Sequence, residues 1–187
     1  MSSTQFSLLG LLSLGAGSGY DLKKRAEASI GHFWSESYGQ IYPTLKQLEA
    51  GGLVTCKVKK HSGKPDRLVY SIHVSGLAAL KSWLAVPPQP QPFRSEILLK
   101  LFFAEKSHPE LMIVHLLRVQ NEEQARMEQY DSVIKEIKHQ YARAPGLDYW
   151  LATLNYGRHR SMAILRWVEE TLRNPAFSPS VKRRKKK

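Results

Sequence analysis

The sequence holds one cysteine, Cys56, in 187 residues. That excludes an internal disulfide and fits a reducing compartment, so a cytoplasmic protein is expected. With no second thiol to resolve an oxidised form, Cys56 reads as a small hydrophobe at the start of a strand. Long apolar runs are also missing: none approaches the roughly 18 residues that a membrane span needs. The stretch from Leu8 to Leu14 is too short and lacks a charged leader or cleavage site, so no signal peptide is expected. Seven histidines, at 32, 61, 73, 108, 115, 139 and 159, are scattered without ligand spacing. There is no HExxH, CxxC or paired-carboxylate cluster. There is also no nucleophile elbow. The glycines of Gly15-Ala-Gly-Ser-Gly19 follow a helical stretch rather than a strand. Their spacing is not GxGxxG, and no phosphate-loop lysine accompanies them. Neither an enzyme nor a metal or cofactor protein is expected.

Acidic residues are scarce in two places. Residues 1–86 hold 10 Lys/Arg against 5 Asp/Glu, and residues 178–187 hold 6 against none. Residues 87–177 are almost balanced, at 12 against 11. The net charge of +12 therefore sits mainly in the first half and a short tail. Localised basic charge attracts polyanions by releasing their counterions. Evenly spread charge would only aid solubility.

The stretch Ser37 to Val54, SYGQIYPTLKQLEAGGLV, is an amphipathic helix signal with its own start and stop. Ser37 and Gln40 are spaced as a capping box. Ile41, Leu45 and Leu48 recur at helical spacing and should face a core. Gly51 and Gly52 supply the left-handed stop. The opposite face is expected to carry Tyr38, Gln40, Tyr42, Thr44, Lys46 and Gln47, groups able to hydrogen-bond base edges and phosphates.

Two shorter helices should precede it. Thr4 is the expected N-cap of the first, through Phe6, Leu8, Leu9, Leu11, Leu12 and Leu14. The second is expected from about Gly19 to Ser29, capped by Ser18 with Asp21, with Tyr20, Leu22 and Ala26 inward. Leu53 to Val58 and Leu68 to Val74 read as strands around a polar loop, Lys59 to Arg67. Lys57, Lys59, Lys60, Lys64 and Arg67 surround this hairpin with only Asp66 opposing. Ser75 should cap a fourth helix through Leu77, Leu80, Trp83 and Leu84. Three helices followed by a basic hairpin are the parts of a winged helix-turn-helix, whose third helix enters the major groove of DNA.

The prolines between Val86 and Pro92 read as a stiff linker, giving a first domain of 1–86, a linker of 87–92 and a helical domain of 93–175. Arg94 to Glu105 reads as an apolar helix. Pro109 is placed to start a helix that meets no Gly or Pro before Arg143, about 50 Å of it. Tyr130, Ile134, Ile137 and Tyr141 should line one face. A last helix, capped by Asp148, should run to Leu172 with Leu151, Leu154, Met162, Leu165 and Val168 on its apolar side. Two long antiparallel helices leave surface that a monomer hardly covers, so dimerisation is expected here. Tyr149, Trp150, Tyr156 and Trp167 are expected in core and interface packing. An apolar effector pocket, with Arg158 or His159 holding a carboxylate, is the sharper alternative. Residues 176–187 should be a disordered basic tail. That tail either adds sequence-independent affinity for a polyanion or is foreign to the domain.

GQIYPTLKQLEAGGLV (Gly39 to Val54) resembles the signature of the PadR family of transcriptional regulators. SGYDLKKRAE (Ser18 to Glu27) and the Val69-Tyr70 strand before Ser75-Gly76 agree with it in order and spacing. FRSEILLKLFFA after the prolines and TLNYGRHRSMAILRWVEE near the end resemble the larger branch, with a virulence-activator-like C-terminal helical domain. The resemblance covers roughly residues 5–172. It implies a mainly α fold with a winged helix-turn-helix, a homodimer, and binding of double-stranded operator DNA, usually in repression. Carried onto this chain, the recognition positions are Tyr38, Gln40, Tyr42, Pro43 and Lys46, with Ser37 at the helix start and Lys59, Lys60 and Lys64 in the wing. His73-Val74 departs from the Thr and acidic residue usual in the family, which puts local capping in question. Family ligands are diverse, and no effector is assigned. A winged-helix protein-interaction module, or a ligand sensor with little DNA binding of its own, are the alternatives; salt-dependent binding to DNA separates them.

Overall fold

The computed structural model describes residues 1–177 apart from Glu36, Ser62, Gly63, Gln91 and Ser107. The chain forms two compact units, 1–90 and 91–187. The first contains α1 (Ser3–Ser13), α2 (Gly19–Ser29), α3 (Tyr38–Ala50), β1 (Val54–His61), β2 (Lys64–Ile72) and α4 (Val74–Leu84). The second contains α5 (Glu96–Phe102), α6 (Pro109–Gln140) and α7 (Leu147–Arg173), with 3-10 turns at Ala104–Lys106 and Pro175–Phe177. The expected tail from 178 onward, and the tip of the hairpin at Ser62 and Gly63, lie outside the described residues.

One core unites the first unit. Leu8, Leu9, Leu11 and Leu12 of α1, Leu22 and Ala26 of α2, Ile41, Leu45 and Leu48 of α3, Val54, Tyr70 and Leu80 are all buried. Tyr20, expected inward, is exposed, and so is Leu14 at the end of α1. Tyr20 lies one residue past the helix start and turns outward under Lys24, whose Nζ is 5.1 Å from the ring centre. Leu14 is already the C-cap of α1. Trp83 stacks on Phe6 with ring centres 4.8 Å apart, and Leu84 faces outward.

Caps differ from the sequence expectation where a neighbouring residue competes. The N-cap of α1 is Ser2, not Thr4, because Ser2 and Gln5 form a complete capping box. Ser18 and Asp21 form the expected box for α2. Ser37 caps α3 in position but makes no side-chain cap bond. Its hydroxyl donates to Gln40 Oε1, at 3.2 Å, while the Gln40 amide bonds the Ser37 carbonyl at 3.0 Å. His73, not Ser75, caps α4. Its Nδ1 is 3.4 Å from the Ser75 amide, and the Ser75 hydroxyl is committed to the Gly52 carbonyl at 2.7 Å. Gly146 precedes α7 in place of Asp148, which sits in the first turn, where an acid favours the helix dipole.

The end of α3 is a Schellman turn. Gly52 takes φ +68°, the Leu53 amide reaches the Leu48 carbonyl at 2.9 Å, and the Gly52 amide reaches Glu49 at 2.9 Å. The chain then enters β1 in antiparallel register with β2, pairing Val54 with Ile72 and Lys59 with Arg67. Both strands run further toward the tip than expected. A lysine-rich sequence reads as a loop, but on the solvent face of a hairpin it is compatible with a ladder. Gly17 adds an isolated bridge to Tyr70, with paired bonds of 3.0 and 2.9 Å.

In the second unit, α6 and α7 form an antiparallel hairpin. Its rungs are Ser161 with Glu123, Gly157 with Tyr130, Arg158 with Asp131, and Trp150 with Tyr141. A Cβ at Gly157 would overlap the tip of the Tyr130 ring, so a larger residue there would have to displace that side chain. Glu123 is buried and satisfied, accepting from Ser161 Oγ and Arg126 Nη1, each at 2.6 Å. The helix expected over 94–105 is shorter. It ends at Phe102 and is followed by a 3-10 turn, and His108, restricted by Pro109 to extended backbone with ψ 127°, then starts α6.

Candidate nucleic-acid interface

Helical spacing sorts α3 into two arcs. Ile41, Thr44, Leu45 and Leu48 follow the i, i+3, i+4, i+7 rule and are buried. Thr44 was expected outward. It stands three residues after Ile41 and four before Leu48, which places it on the core side. The other arc exposes Gln40, Tyr42, Pro43, Lys46 and Gln47, with Ser37 at the start. Pro43 sits inside the helix. Lacking an N–H, it leaves the Gly39 carbonyl without its helical donor. The Tyr38 side chain lies outside the described residues.

Tyr42 is only partly available. Its ring covers the first residue of α2, and a Cβ on Gly19 would come within 2.6 Å of it. It remains 44% exposed, enough for an edge or the hydroxyl to meet a ligand. Beneath it, Tyr70 is buried. Burial, then the neighbouring Cys56, Glu49 and Tyr42, push its phenol up to about 12. Tyr70 therefore belongs to the core that seats α3.

Strand alternation places Thr55, Lys57 and Lys59 of β1 on one face, and Lys57 and Lys59 are exposed. Their register partners are Ser71, Val69 and Arg67. The side chains of Lys60 and Lys64 lie outside the described residues. Arg67 is a different case from the lysines. It donates from Nε to Ser18 Oγ at 3.0 Å and from Nη2 to Asp21 Oδ1. A partner 46 residues away carries no signal in local spacing, although the Ser18–Asp21 cap itself was legible. Burial alone would raise the Asp21 pKa. Bonds from the Ser18 amide and hydroxyl, with Arg67, outweigh it and hold the carboxyl below its ordinary value.

The geometry is thus an exposed polar helix face with one cation, beside a hairpin face with two more. Among the described residues there is no group of His, Cys, Asp and Glu fit to hold a metal. Among them, too, no helix is long and apolar enough to cross a membrane. The family model of the transcriptional regulator PadR-like family matches residues 8–82. That of the virulence activator alpha C-terminal family matches 93–174. The chain belongs to the PadR-like family of transcriptional regulators. The family comprises regulators rather than enzymes. Within it, the chain is similar to the negative transcriptional regulator PadR of Bacillus subtilis, at 35% identity over 104 residues. That stretch is 55% of this chain and spans little more than half, 57%, of the relative. The solved structure of the same PadR with operator DNA superimposes with a TM-score of 0.79 at 25% identity, covering 90% of this chain and 96% of that one. The Vibrio cholerae virulence activator AphA superimposes with a TM-score of 0.73 at 27% identity, covering 91% and 96%. The PadR-like first unit is a winged helix, with β1 and β2 as its wing.

Proposed function

We propose that this PadR-type regulator is a repressor that binds operator DNA sequence-specifically as a homodimer and is released by a small-molecule effector. The observation that carries the reading is the exposed arc of α3. Gln40 and Tyr42 lie in its N-terminal part, the part that meets base edges when such a helix enters the major groove. Lys46, Lys59, Lys60 and Lys64 are the proposed phosphate contacts, which set register and orientation without reading sequence. Tyr38, Pro43 and Ser37 complete the proposed interface at the helix start.

The second unit supports pairing. Leu111, Val114 and Leu117 recur every third residue along α6 and are 44–61% exposed, and exposed apolar surface of this kind marks interfaces. The sign and the effector rest on relatives. The Bacillus relative is named a negative regulator, and one structure shows it with p-coumaric acid. No residue here selects that ligand class. Arg158, weighed as an effector anchor, lies 2.8 Å from Asp131 as an ion pair, although its buried Nε is not aligned for a hydrogen bond.

Base reading by Gln40 is testable on fragments selected from the source genome. Gln40→Ala should lose about 1–3 kcal/mol on the selected sequence and far less on random duplex. Equal losses on both would remove Gln40 from the reading face.

A further inference from the structure

We propose that Arg67 is a positioning residue: it fixes the wing to the N-terminus of α2, and so holds Lys59 within reach of a phosphate, without touching nucleic acid itself. The inference rests on the reading of the first unit as a DNA reader.

A short segment, residues 17–21, bridges the recognition helix and the wing. From one side the Tyr42 ring of α3 lies on Gly19. From the other, β2 reaches it twice. Gly17 bridges Tyr70, and three residues nearer the tip Arg67 grips Ser18 and Asp21. The segment is itself held from below. Arg25 donates from Nη1 to the Leu11 carbonyl at 2.7 Å and to the Gly15 carbonyl at 2.6 Å. The segment thus bridges α3 and the wing beside the Gly51–Leu53 turn that joins them along the chain and the core they share through Val54 and Tyr70.

Arg67 has the chemistry to do so. A guanidinium presents its donors in a rigid fork, so two bonds to two residues fix both position and direction. Asp21 already serves the helix cap, accepting from the Ser18 amide at 2.9 Å, so the clamp is anchored to backbone. Charge points the same way. Lys59 is the direct cross-strand neighbour of Arg67, and like charges so placed repel. With Asp21 balancing Arg67, Lys59 can stand beside it with its own charge available to a phosphate.

The test compares salt titrations of duplex binding by the full chain and by Lys59→Ala, Arg67→Ala, the double variant, Arg67→Lys and Asp21→Asn, with thermal melting of each. Lys59→Ala should reduce the salt slope by about one unit. Arg67→Ala should reduce it at least as much, and adding Lys59→Ala to it should change little further. Arg67→Lys should behave like Arg67→Ala, since a point charge cannot reproduce the fork. Asp21→Asn keeps an acceptor for the cap yet should also weaken binding, although it removes a negative charge. Additive losses in the double variant, a native slope for Arg67→Lys, or tighter binding by Asp21→Asn would each overturn the clamp while leaving the DNA reading in place. A native chain with no salt-dependent affinity for duplex would overturn both.

Discussion

Leu45→Ala should cost the first unit about 2–5 kcal/mol and lower its melting temperature by more than about 10 °C. Leu45 is fully buried at the centre of the cluster shared by α1, α2, α3 and the hairpin. Truncation removes methyl groups whose neighbours, fixed by three helices, can close the gap only in part. Domain stabilities are about 5–15 kcal/mol, so the loss is a large share of the whole. DNA binding should fall with it, because the same side chain seats the recognition arc of α3. Calorimetry or circular dichroism reads the shift. Signal from α6 and α7, which belong to the other compact unit, should persist to higher temperature. A variant that melts with the native chain would show that the core is not organised around α3.

Val114→Glu should turn a dimer into a monomer. Val114 is 61% exposed on α6, between Leu111 and Leu117. In a two-fold pairing each substitution appears twice, so two carboxylates would enter one apolar interface. Burying a charge without a partner costs several kcal/mol. Loss of the second head should then weaken binding to a paired operator by roughly 10²–10⁴-fold, with binding to a single half-site unchanged. Sedimentation and a two-site against one-site titration measure both. A Val114→Glu protein that remains dimeric would move the interface away from this face.

The local features of the fold were legible in the sequence, and the tertiary ones were not. The α2 box is a matter of two residues three apart, and Ser18 with Asp21 behaves as its spacing predicts. The identical spacing at Ser37 and Gln40 gives a different result: the Gln40 amide bonds the Ser37 carbonyl and the two side chains bond each other. Ile41, Leu45 and Leu48 were found by period, and the same period applied strictly would have placed Thr44 with them. The departure at His73 proved informative: the imidazole takes over the cap, which frees Ser75 to bind Gly52 and tie α4 to the turn after α3. Arg67 marks the limit. Among hairpin cations it looked like another phosphate ligand. Only the fold brings Asp21 to it, since nothing in the spacing of 46 residues links a helix start to a strand.

The close approach at Gly76 shows the same boundary. A Cβ there would overlap the Leu53 carbonyl oxygen, so the packing of α4 on the turn between α3 and β1 needs a glycine. In sequence Gly76 is only a glycine near a helix start, a position where its usual effect is unfavourable.

The most direct measurement is the affinity of the native chain for genome-selected and shuffled duplexes across roughly 50 to 200 mM salt. The account predicts that affinity falls steeply with salt on both, and that the selected sequence binds at least about 10³-fold tighter. Equal affinity for the two duplexes, or affinity indifferent to salt, would contradict it.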